Sequence, residues 1–129
     1  MTGEVIIAEL NNSIEQVQGL FVQYDMHHIP VVDNEQVIGI ISQTDLLKCY
    51  DQLLKSGESV NAGNMSSKFR VEEIMTAKPL SIAPVTSLET ASDIMVKHHC
   101  HALPVVEHGK IVGILTPLDI VNFVSKMDD

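Results

Sequence analysis

The stretch Gly39-Ile40-Ile41-Ser42-Gln43-Thr44-Asp45 runs an apolar strand through a glycine into a polar helix start, and it occurs twice. The second copy is Gly113-Ile114-Leu115-Thr116-Pro117-Leu118-Asp119, with glycine, hydroxyl and carboxylate all displaced by 74 residues. One interval shared by three residue types of different chemistry marks internal duplication, and duplication decides architecture before any local reading. Extended upstream without a gap, the same register lays His101 on His27, Pro104 on Pro30 and Val105-Val106 on Val31-Val32. A chain of 129 residues has the length of one ordinary domain. A copy of about 60 residues would be marginal alone, so the two are expected to share a core.

Working outward, Val5 to Ala8 is short and β-branched and predicts a first strand. Ser13 and Gln16 have capping-box spacing ahead of Ile14, Val17, Phe21 and Tyr24, which recur at helical intervals. Ile29 to Val32 and Val37 to Ile41 flank the polar turn Asp33-Asn34-Glu35-Gln36, a hairpin signature. These strands are apolar at nearly every position, so both faces are expected to be covered. A helix follows from about Gln43 to Leu54. Residues 56–67, rich in Ser, Gly and Asn, read as a linker between a repeat over 1–55 and a second over 68–129. Val71 to Met75 is a short helical leader. The pattern then restarts: Thr86 and Glu89 as a capping box, Leu88, Ala91, Ile94 and Met95 as a helical face, and a hairpin turning on His108-Gly109. Thr116 caps the last helix, with Pro117 at its first position, and the helix ends near Lys126. The order is β-α-β-β-α, twice. The register also sets Met1-Thr2 on Met75-Thr76, so the first copy lacks a leader; the chain starts there naturally or is a piece of something longer.

Composition removes several functions. A hydrophobic fraction of 45% belongs to a globular chain rather than a disordered one. The net charge of −9 opposes a phosphate backbone, and five aromatic residues give little for bases to stack on, so nucleic acid is not an expected partner. No run approaches the ~18 apolar residues of a membrane helix, and the N-terminus lacks signal-peptide character. A cytoplasmic protein is expected. Cys49 and Cys100 form no CxxC pair and read as buried thiols.

The segments HHIPVVDNEQVIGIISQTDLL and CHALPVVEHGKIVGILTPLDIV, with the leader VEEIMTAKPLSI, resemble a tandem CBS-domain pair, the Bateman module. The resemblance covers the chain apart from the linker. It implies an α/β (α+β) fold of two β-α-β-β-α repeats packed pseudo-symmetrically as one module. It also implies a non-catalytic regulatory or sensor role, an adenosine-containing ligand held in clefts between the repeats, and association into a flat homodimer that passes a conformational change to an effector protein. No cofactor is required. AMP or a related adenosyl compound is the implied ligand, with S-adenosylmethionine, ADP, ATP and NAD as further members of the class.

In proteins this sequence resembles, the Asp accepts hydrogen bonds from ribose hydroxyls and the Ser or Thr contacts phosphate. Carried over by position, one site combines Ser42, Thr44 and Asp45 with Thr76, Lys78, Ser81, Cys100, His101, Ala102 and Leu103. The other combines Thr116 and Asp119 with Thr2, Ile7, Met26, His27, His28 and Ile29. The first has Lys78 where the second has Glu4, and a cation near phosphate is favourable where a carboxylate is repulsive. The Asp45 site is therefore expected to be the better one. Arg70 is the only arginine, which disfavours polyphosphates that are gripped by guanidinium forks. The same Ser/Asp and Thr/Asp pairs are also what simple helix caps would show.

Other constellations carry less. His98, His99 and His101 beside Cys100 invite a metal, yet neighbours in sequence cannot converge on one ion from a regular element, so a helix end is the expected role. No oxyanion loop or orienting acid accompanies Cys100 and His101 for nucleophilic chemistry. Gly39 and Gly113 lack phosphate-loop spacing and are read as sites of close backbone approach. A ligand-free dimerisation scaffold is the competing function.

Overall fold

The structure is a computed structural model that describes residues 5–127. It is a mixed α/β fold. Two compact units are present: Ile6–Lys78, and a second that begins at Pro79.

The first unit holds a four-stranded sheet in the order β1 (Ala8–Glu9), β2 (His28–Asp33), β3 (Gln36–Ser42) and β4 (Thr76–Ala77). Strand β1 runs parallel to β2, pairing Ala8 with Val31, and the other two neighbours are antiparallel. Pairing begins at Ala8 rather than across Val5–Ala8 as the apolar run suggested, and it lasts two residues. Past Glu9 the chain turns away, because Asn12 takes both outward groups of Glu9. Its side chain accepts from Glu9 N at 2.7 Å, and its N–H donates to Glu9 O at 2.9 Å. The turn between β2 and β3 places Asn34 (φ 51°) and Glu35 (φ 69°) in the left-handed region, the geometry a two-residue hairpin needs to match strand twist.

Helix α1 (Ile14–Gln23) starts with the predicted capping box. Ser13 Oγ accepts from Gln16 N at 3.1 Å, and Gln16 Oε1 accepts from Ser13 N at 2.9 Å. Its buried Ile14, Val17 and Phe21 pack with Ile29, Val31 and Ile41 of the sheet and with Leu46, Cys49 and Leu53 of α2 (Gln43–Lys55). Pro30, Val32 and Ile40, on the alternate strand positions, are buried as well. This is why the strands are apolar on consecutive residues.

The segment expected to be a plain linker instead carries α3 (Ala62–Lys68), capped by Asn61, whose side chain accepts from Asn64 N at 2.8 Å. The turn residues up to Gly57 (φ 81°) behave as composition suggested. Beyond them Met65 is fully buried in the first unit's core and draws its neighbours into a helix against α1. Ser66 Oγ accepts from Glu15 N at 3.1 Å. An exposed Lys68–Glu58 pair at 2.7 Å ties the two ends of the segment and holds the Glu58 carboxyl below its usual range. Burial of one methionine outweighs local turn preference.

A four-residue helix α4 (Val71–Ile74) leads into β4, so the second repeat's leader completes the first unit's sheet. Gly39 faces Ala77 there. A Cβ on Gly39 would overlap the Met75 side chain, Sδ first, and come within 3.1 Å of Thr76 O.

In the second unit, α5 (Leu88–His98), the hairpin β5 (Leu103–Glu107) and β6 (Lys110–Leu115), and α6 (Pro117–Lys126) surround Ala91, Met95, Leu103, Val105 and Leu115. Every hairpin pair repeats the first unit's at 74 residues, down to the register shift after Val105 that mirrors the one after Val31. The parallel bridge Ile82–Val105 likewise mirrors Ala8–Val31. The expected Thr86–Glu89 capping box does not form. Ser87 caps α5, accepting from Thr90 N at 3.1 Å, while Thr86 Oγ1 accepts from Ala83 N at 3.1 Å and closes the preceding turn. Helix α5 ends at His98, with His99 in the left-handed cap (φ 54°).

Gly39→Ala should lower stability by about 1–3 kcal/mol through overpacking at β4. Adding Met75→Ala to the same chain should recover part of that loss in urea denaturation, because the thioether is the nearer obstacle. Equal stability of Gly39→Ala and the parent chain would show that the β3–β4 approach is looser than described.

Candidate functional site

Both hydroxyl–carboxylate pairs sit where a strand hands over to a helix. In the first unit Ser42 Oγ accepts from Asp45 N at 3.1 Å, and Asp45 Oδ2 accepts from Ser42 N at 2.8 Å. In the second, Thr116 Oγ1 accepts from Asp119 N at 3.3 Å and Asp119 Oδ2 accepts from Thr116 N at 2.9 Å. The capping role is thus filled in both copies. It consumes one carboxylate oxygen, and Oδ1 of each aspartate has no hydrogen bond among the described residues. The copies differ in their hydroxyl protons. Thr116 donates its own to Asp119 Oδ2 at 3.1 Å, whereas no such bond is made by Ser42. Ser42 can therefore donate to an incoming acceptor at no internal cost.

The open end of the first hairpin gathers residues expected in both sites. His28 pairs directly with Ser42. Gln43 N–H donates to His27 O at 3.0 Å, its amide donates to Met26 O at 2.8 Å, and its Oε1 lies 3.2 Å from His27 Nδ1. Met26 to His28 are thereby fastened to the start of α2. Thr76 stands opposite Ile40, two residues from Ser42. Lys78 is farther off. Its N–H donates to Ile38 O at 3.0 Å, which sets it roughly 13 Å from Ser42 along the strand at about 3.3 Å per residue.

Ser81, Cys100, His101, Ala102 and Leu103 belong to the second unit with Thr116 and Asp119, while Ile7, Met26, His27, His28 and Ile29 belong to the first. Ile29 and Leu103 are fully buried and Ala102 nearly so, so a ligand would meet their main chain rather than their side chains. Thr2 and Glu4 lie outside the described residues.

Lys48 and Gln52, which no sequence motif marks, lie beside Asp45. A cavity of about 380 Å³ is lined by Asp45, Lys48, Cys49 and Gln52 of α2, and by Phe69, Glu73 and Ile74. The spacing of Asp45, Lys48 and Gln52 places them on one helical stripe, which is the signal that could have found them. Burial, and then the nearby Asp45 carboxylate, push the Cys49 thiol above its ordinary value.

A sequence profile described as CBS domain matches residues 1–51 and 71–126. The chain belongs to the CBS-domain family. It is a tandem CBS pair, a Bateman module. The chain is 29% identical over 126 residues to the CBS domain-containing protein YhcV of Bacillus subtilis, covering 97% of this chain and 83% of that protein. It is 31% identical over 129 residues to the uncharacterised protein MJ1225 of Methanocaldococcus jannaschii, covering 95% of this chain and 45% of the relative. Identity is also 31% to inosine-5′-monophosphate dehydrogenase of Staphylococcus epidermidis, but there the match spans 20% of the enzyme. The CBS pair thus spans under half the length of these last two relatives. Among solved structures it superposes on CBSX2 in complex with AMP, with a TM-score of 0.77, 26% identity, and 97% and 90% of the two chains covered. The CBS-domain pair of MJ0100, in complex with 5′-methylthioadenosine and S-adenosyl-L-methionine, gives 0.79 at 26% identity, covering 95% and 93%. No helix among the described residues is long and apolar enough to cross a membrane.

The two cysteines are unequal in this CBS pair. Cys49 is 3% exposed with its thiol held protonated, whereas Cys100 is partly exposed. Since the thiolate is the reactive form, a disulfide reagent at pH 8 should label one thiol of the native protein promptly, with the second reacting only on denaturation. Peptide mapping should find Cys100 labelled first. The reverse order would contradict the packing of α2.

Proposed function

We propose that this CBS pair is a non-catalytic, cytoplasmic regulatory module whose Asp45 half-site binds an adenosine-containing ligand, AMP-like or S-adenosylmethionine-like. The observation that carries the reading is the Ser42–Asp45 pair, which caps α2 and still keeps one carboxylate oxygen and one hydroxyl proton unspent. A ribose diol donates two hydrogen bonds, and a half-buried carboxylate is a strong acceptor for them. Ser42, Thr44, Asp45 and Thr76 are the first unit's polar contribution to the site, and the AMP and S-adenosylmethionine complexes of similar CBS pairs support the ligand class. Thr116 and Asp119 form the second, weaker half-site, because Thr116 has already given its proton to Asp119. Ligand binding would act by preferring one of two arrangements of the module, which an effector protein then reads.

Calorimetric titration with adenosine, AMP, ADP, ATP, NAD and S-adenosylmethionine tests this reading. At least one should bind and raise thermal stability, by about 2.7 kcal/mol when present at a hundred times its Kd. Asp45→Ala should abolish that binding while losing only about 1 kcal/mol of cap stabilisation, with an unchanged circular dichroism spectrum. Binding that survives Asp45→Ala would reject the site. No response to any compound would favour the ligand-free scaffold.

We further propose a homodimer. Helix α6 has no buried residue and exposes Leu118, Val121, Phe123 and Val124, while α2 exposes Leu47 and Leu54. So much apolar helix surface is what a subunit contact would cover. Sedimentation should give twice the protomer mass, and Phe123→Glu with Val121→Glu should return it to one. A monomeric parent chain would end this part of the reading.

A further inference from the structure

The 380 Å³ cavity beside Asp45 has a charge pattern that the proposed ligand class must satisfy. Its polar groups come from two elements. Asp45, Lys48 and Gln52 descend one stripe of α2, and Glu73 faces them from α4. Each retains bonding capacity. Asp45 keeps Oδ1, and Glu73 spends Oε1 on the Arg70 N–H at 3.0 Å and keeps Oε2. The Lys48 ammonium enters no salt bridge and the Gln52 amide no side-chain hydrogen bond among the described residues. Phe69 and Ile74 give the cavity an apolar wall, and the volume falls within the range of about 300–1,000 Å³ usual for small-molecule pockets. The Cys49 thiol, kept protonated by burial, adds no charge.

Two carboxylates and one ammonium make a poor phosphate site, because a 5′-phosphate drawn to Lys48 is repelled by Asp45 and Glu73. They complement a zwitterion. An α-amino acid group can set its carboxylate on Lys48 and Gln52 and its ammonium on Glu73, while a ribose on the same ligand occupies Asp45 Oδ1.

We infer that this cavity is a tail pocket selecting adenosyl compounds with an α-amino-acid tail over 5′-phosphorylated nucleotides, with Lys48 and Glu73 as its specificity-determining residues. The inference rests on the reading that Asp45 holds the ribose.

Three probes separate the contributions by titration calorimetry: S-adenosylhomocysteine, which carries the tail without a sulfonium charge; 5′-methylthioadenosine, which lacks the tail; and AMP. S-adenosylhomocysteine should bind at least about tenfold more tightly than either of the others, the scale of one charge-assisted contact. Lys48→Gln and Glu73→Gln should each erase most of that margin while leaving 5′-methylthioadenosine affinity unchanged. Both residues are exposed, and a glutamine at 73 can still accept from Arg70 N, so the fold is retained. Equal binding of the tailed and tail-less compounds, tighter binding of AMP, or a margin that survives both substitutions would overturn the tail pocket. In those cases Asp45-dependent binding would leave the adenosyl-sensor reading standing. If none of the probes binds the parent chain, the tail pocket falls, and the adenosyl-sensor reading falls with it only when the six compounds titrated above also fail to bind.

Discussion

The main-chain approach of β4 to β3 at Gly39 is the constraint on which the first unit depends. Position 39 must carry no side chain, because Met75 and Thr76 O already fill the space a Cβ would need. Once that approach is made, the second repeat's leader joins the first unit's sheet and Thr76 comes to stand opposite Ile40, two residues from Ser42. Glycine here serves close packing rather than a turn. A pattern that in sequence marks the start of the second repeat is, in space, an edge strand of the first unit's sheet.

The hydroxyl–carboxylate pairs stabilise both helix starts while leaving part of each carboxylate unspent. A helix start offers free N–H groups and a favourable dipole, so an acceptor there is stabilising whether or not a ligand arrives. Asp45 and Asp119 meet that need with one oxygen each. One difference between the copies is the bond from the Thr116 hydroxyl to its own aspartate, which Ser42 does not make. Spacing alone fits a helix cap as well as a ligand contact, and the two roles are compatible. In the structure capping occupies Oδ2 of each aspartate and leaves Oδ1 for the ligand we propose.

Legibility varied with how local the deciding interaction was. Ser13 and Gln16 could be read as a capping box because both partners lie within one turn of helix. Thr86 and Glu89 have the same spacing, yet Ser87 takes the cap because Thr86 is already committed to Ala83 N. The Ser- and Asn-rich segment after Leu54 was read as linker and folds in part as α3, since its helix is stabilised by burying Met65 against distant residues. The charge of Lys78 is visible in the sequence but not the register that places it opposite Ile38, whereas Lys48 shares a helical stripe with Asp45 that spacing alone displays.

The duplication at 74 residues, the β-α-β-β-α order and membership of the CBS family are all legible in the amino-acid sequence. A repeat is a property of spacing and composition, and every hairpin pair of the second unit honours it. Packing across the fold sets β4 into the first unit's sheet, makes 62–68 a helix, and brings Lys48 and Glu73 to line one cavity beside Asp45. Those outcomes depend on groups far apart in the chain competing for the same buried space. Such competition is settled by close packing across the fold, and no window of sequence displays it.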